Sequence, residues 1–128
     1  VLVSDQGLDL SLHQIQGRMI VAANGVRAAL DEYRQKNAEW VEAERDYRHA
    51  KAIARMKAKS KLVADREDEV FLMVEMEWTA AKKADVLRDS AKEALRAYQA
   101  ILSGLQSVAG AHREEARLTN FEPREVSA

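Results

Sequence analysis

Arg45, Arg48, Lys51, Arg55 and Lys59 are five cations spaced three or four residues apart. At about 100° per residue, an α-helix gathers them within about one third of its circumference. Such a ladder suits contact with successive phosphates of a nucleic acid, each contact releasing counterions. The same residues have a plainer use. Residues 45–62 carry seven cations and one anion, net +6, and residues 63–78 carry six anions and one cation, net −5. Two helices folded back at this junction would neutralise each other, and exposed pairs of this kind serve to set antiparallel register. The whole chain is net −1, so no overall charge draws it to nucleic acid. The structural use is the first reading, and DNA contact through the five cations is the alternative.

Other reactive patterns are missing. His13, His49 and His112 are scattered, and none has a Glu or a second His at metal-ligand spacing. Both the Glu-x-x-His of di-iron bundles and the helix-borne H-E-x-x-H of zinc hydrolases are absent. The chain has no cysteine, which removes disulfides, thiolate nucleophiles and cysteine zinc sites. Glycines at 7, 17, 25, 104 and 110 form no phosphate-cradling loop, and no serine has a base at motif spacing. The expectation is therefore no enzyme, no metal, no cofactor and no small-molecule ligand. Tyr33, Trp40, Tyr47, Trp78 and Tyr98 could stack on bases. Three of them, Tyr33, Trp40 and Tyr47, share one heptad column, which reads as core packing.

The elements that carry these residues follow from composition and period. Twenty-two alanines, five glycines and one proline in 128 residues point to long helices within one domain. Met19, Val26, Tyr33, Trp40, Tyr47 and Ala54 are seven apart, with Ala22, Ala29, Ala43 and Ala50 three later. Lys36 interrupts the alanine column, and Asn24-Gly25 is a weak point, because glycine costs a helix about 1 kcal/mol relative to alanine. In the second half Met73, Ala80, Leu87, Ala94, Ile101 and Val108 repeat the spacing, beside Val70, Ala84, Ala91, Tyr98 and Leu105. These are coiled-coil seams. Lys57, Lys59 and Lys61 suit the negative end of one helix dipole, and Asp65 to Glu69 the positive end of the next. The expected layout is all-α: a leader over 1–10, and a long antiparallel helical hairpin over 11–117, followed by a tail over 118–128 around Pro123. Within the hairpin, helix 1 covers about 11–59, the turn about 59–62 and helix 2 about 63–117.

A lone two-helix hairpin buries one narrow stripe per helix. The stretch EVFLMVEMEW puts Val70, Phe71, Met73, Val74, Met76 and Trp78 around most of helix 2. Apolar residues facing away from the seam need another partner. A symmetric dimer forming a four-helix bundle is the economical solution, with a different protein as the other possibility. The interface candidates are Tyr33, Trp40, Tyr47, Val70, Phe71, Met73, Val74, Met76, Trp78, Leu87 and Ile101. Alanine columns bury little area, so folding and association are expected to be coupled. Phe121 in the tail is a further, weaker docking candidate. No apolar run approaches the roughly 20 residues needed to span a bilayer, and the start lacks a signal peptide's pattern, so a cytoplasmic location without membrane contact is expected.

The segments LHQIQGRM, EAERDYRHAKAIA, VADREDEV and ALRAYQAILSGLQSVAGAHREE, within residues 11–117, resemble small helical proteins of tailed bacteriophages of actinobacteria. The Tyr-Arg-x-Ala-Lys-Ala stretch before the turn is Tyr47, Arg48, Ala50, Lys51 and Ala52 here. Leu62 stands where such proteins often carry a capping Ser or Thr. The resemblance implies an accessory of phage DNA replication or recombination, or a factor acting on a host machine, in the bacterial host cytoplasm. It brings no catalytic residue with it. Three functions follow as expectations: an oligomeric hairpin that binds a protein partner, a nucleic-acid-binding accessory, and a structural or virion coiled coil.

Overall fold

The structure, a computed structural model, describes residues 11–127, with side chains as far as residue 120. The leader expected over 1–10 and the Phe121 side chain lie outside the described residues. Two helices, α1 (Leu12–Lys57) and α2 (Val63–Ser127), pack against each other as a hairpin. The fold is all-α, and the turn falls where the charge changes sign.

α1 starts on a reciprocal cap. The Gln14 amide donates to the Ser11 hydroxyl at 3.2 Å, and the Ser11 amide donates to the Gln14 side-chain oxygen at 2.9 Å. Each satisfies a donor that the first helical turn leaves without an intrahelical acceptor. α1 ends with Arg55 and Lys57 in its last turn, and α2 begins with Asp65 in its first. Both ends carry the charge their dipole favours.

α2 runs about ten residues past the end expected at 117, its backbone helical to Ser127. Gly104 and Gly110 cost helix propensity, but no neighbour crowds either position. Beyond them the Glu114 carboxylate accepts from Arg117 at 2.7 Å, and the Thr119 hydroxyl donates to the Glu115 carbonyl at 2.9 Å. Both bonds are local to the helix and support its continuation.

The chain forms two compact units. Among the described residues, one joins Ser11–Ala28 with those from Leu95 onward, and the other is Ala29–Ala94. In the first, Ile15, Ala22 and Ala109 are buried, and the Tyr98 ring lies against Gly25. A β-carbon at Gly25 would sit 2.5 Å from two ring carbons of Tyr98. The glycine is thus the gap that admits the tyrosine, rather than only a weak turn of helix.

In the second unit Ala54, Val70 and Val74 form the core, with Tyr47, Ala50 and Ala58 packed on it, and Ala29, Ala81 and Ala91 are buried too. The seam on α2 therefore uses Val70, Ala84 and Ala91 as expected, but its other column is Val74, Ala81 and Arg88. The column of Met73, Ala80 and Leu87 faces outward, with Met73 45% and Leu87 40% exposed. Arg88 is the reason. A cation in a heptad column looks like an interruption, yet the Arg88 guanidinium lies 4.0 Å from the Trp40 ring centre and pairs with Asp85 and Asp89. A planar, weakly hydrated cation on an aromatic face can hold a half-buried seam position. Lys36 does likewise on α1, half-buried and paired with Glu32 and Glu39.

Candidate interaction surfaces

The turn places everything near it, and two side chains of α2 hold the turn. The Glu69 carboxylate accepts from the Ser60 hydroxyl at 2.8 Å, the Ser60 amide at 3.2 Å and the Lys59 amide at 3.3 Å. Arg66 donates to the Ser60 carbonyl at 3.1 Å. Leu62 offers no capping oxygen, so these reach-back bonds fix the entry to α2. The Ser60 hydroxyl first, then the Lys59 and Ser60 amides, hold the Glu69 carboxyl below its ordinary value of 4.5.

A carboxyl whose pKa is depressed on folding adds stability above its unfolded pKa, and that stability disappears as pH falls through the folded value. Glu69→Gln should therefore lower the melting temperature near pH 7 and flatten its decline below about pH 4.5. Thermal melts across that range check this. An unchanged acid limb would show that the turn does not depend on this charge.

From the turn the hairpin presents two unlike flanks. On one, Glu44, Tyr47, Arg48, Lys51 and Arg55 line a shallow groove. Beside it Trp40, Glu44, Tyr47, Trp78, Lys82 and Asp85 line a second. The aromatic faces here already carry cations from the same chain. Lys51 lies over Tyr47 at 5.6 Å, Lys82 over Trp78 at 5.9 Å, and Arg88 over Trp40. Phe71 meets Trp78 edge to face at 5.6 Å.

Four of the five cations, Arg45, Arg48, Lys51 and Arg55, lie along α1 as their spacing requires, whereas Lys59 falls past the end of the helix at Lys57, in the turn, and several of the four are engaged. Arg48 pairs with Glu44 at 3.3 Å, Arg55 reaches Glu67 on α2 at 3.8 Å, and Lys51 covers Tyr47. Arg45 and Lys59 are exposed.

The other flank is apolar. Ala50, Ile53, Ala54, Lys57, Met73 and Val74 line a groove. Ala80 and Leu87 continue the Met73 column along α2, and Met76 is 84% exposed beside it. Two turns of geometry explain the split. On α1, Ala50 and Ile53 lie on one side of the buried Ala54 line, while Lys51 and Arg55 lie on the other.

The expected interface residues thus separate. Val70 and Val74 are core within the hairpin. Tyr33, Trp40, Tyr47 and Trp78 are half-buried, the last three beneath cations of the charged flank. Phe71 joins Trp78. Met73, Met76 and Leu87 are open, and Ile101 is exposed in the other unit. Ile53 was missed in the sequence. Its signal was its place three residues after Ala50 and one before Ala54, on the side away from Lys51. Among the described residues no group of His, Asp and Glu could hold a metal ion, and no helix is long and apolar enough to cross a membrane. Comparison with family models, curated proteins and solved structures gives no match.

Proposed function

We propose that this chain is a non-enzymatic, oligomeric interaction protein, a helical hairpin that dimerises into a four-helix bundle and docks a protein partner. The supporting observation is the open apolar flank, where Ile53 and Met73 line a groove directly above the Ala54–Val74 core. Of the nine buried apolar residues among those described, six are alanine, so the hairpin's own core is thin and covering the flank would add the area it lacks. The setting in phage DNA replication, recombination or host takeover, in the host cytoplasm, rests on the sequence resemblance alone.

A second reading is binding of DNA through Arg45, Arg48, Lys51, Arg55 and Lys59. What favours it is that the four of these on α1 share the charged flank, so such binding would leave the apolar flank free. What weakens it is that Glu44 and Glu67 already neutralise two of them. A structural or virion coiled coil would instead show higher assemblies.

Light scattering on a sizing column, at low and moderate salt and with single-stranded and duplex DNA, tests these readings. The expected result is a salt-insensitive mass near twice the 14.4 kDa chain, unchanged by DNA. A compact, stable monomer would overturn the oligomeric reading. A DNA complex that dissolves steeply as salt rises would move the function to the charged flank.

A further inference from the structure

We draw no further inference here: the strongest candidate, the open apolar flank of the Ala29–Ala94 unit where Ala50, Ile53 and Met73 line a groove, is an unpartnered face, and nothing in the structure shows what covers it.

Discussion

Val74→Asp should leave the chain unfolded, while Met73→Asp, one residue away, should leave it helical and monomeric. Val74 is 2% exposed and packs with Val70 and Ala54, where nothing can pair with or solvate a carboxylate. Burying an unpaired charge costs several kcal/mol, comparable with the whole stability of a small domain at the lower end of its usual range. Far-UV circular dichroism should show most of the helix lost. Met73 borders the groove and is 45% exposed, so a carboxylate there can reach water within the hairpin. Its cost falls on the contact with another surface. The melting temperature of Met73→Asp should drop and lose its dependence on protein concentration, because association no longer adds to stability. Equal behaviour of the two variants would mean that the seam on α2 has been placed on the wrong column.

That contrast also shows what was legible in the sequence. The two helices, their antiparallel pairing and the turn could be read from heptad period and the reversal of charge, because both are properties of long segments. The exact face of α2 was not legible. Seven-residue periodicity is satisfied equally by Met73, Ala80 and Leu87 and by Val74, Ala81 and Arg88, two columns offset by one residue or about 100°. Hydrophobicity favours the first, and only the partner of Arg88 decides for the second. That partner, Trp40, is 48 positions earlier in the chain. The ladder from Arg45 to Arg55 was legible as one face of α1, but the last of the five cations, Lys59, falls in the turn because the helix ends at Lys57. The ladder's engagement by Glu44, Glu67 and Tyr47 was legible only where the partner lies three or four residues away, as for Arg48 and Lys51. The clamp of Glu69 on Lys59 and Ser60 crosses a turn whose path no local pattern specifies.

The same limit applies to Gly25, and it yields the second large effect. Propensity alone says that Gly25→Ala should stabilise a helix interior by about 1 kcal/mol. The position is occupied differently: an added β-carbon would meet two Tyr98 ring carbons at 2.5 Å and a third at 3.3 Å. Those atoms belong to the body of the ring, so relief requires the ring or the helix to move. Overpacking of this kind costs about 1–3 kcal/mol and outweighs the gain in propensity. Gly25→Ala should therefore lower stability in urea melts of the intact chain. In a Tyr98→Ala background the clash is gone and the same substitution should raise stability by about 1 kcal/mol. The reversal of sign is the diagnostic, since a coupling of about 1–3 kcal/mol in a double-mutant cycle points to groups in contact. With no polar side chain fully buried among the described residues, register in this part of the hairpin depends on shape. A ring seated in a glycine gap is a register mark that an alanine seam cannot supply by itself. If Gly25→Ala stabilises both backgrounds equally, Tyr98 does not rest on that gap, and the pairing of this part of α1 with α2 must be shifted.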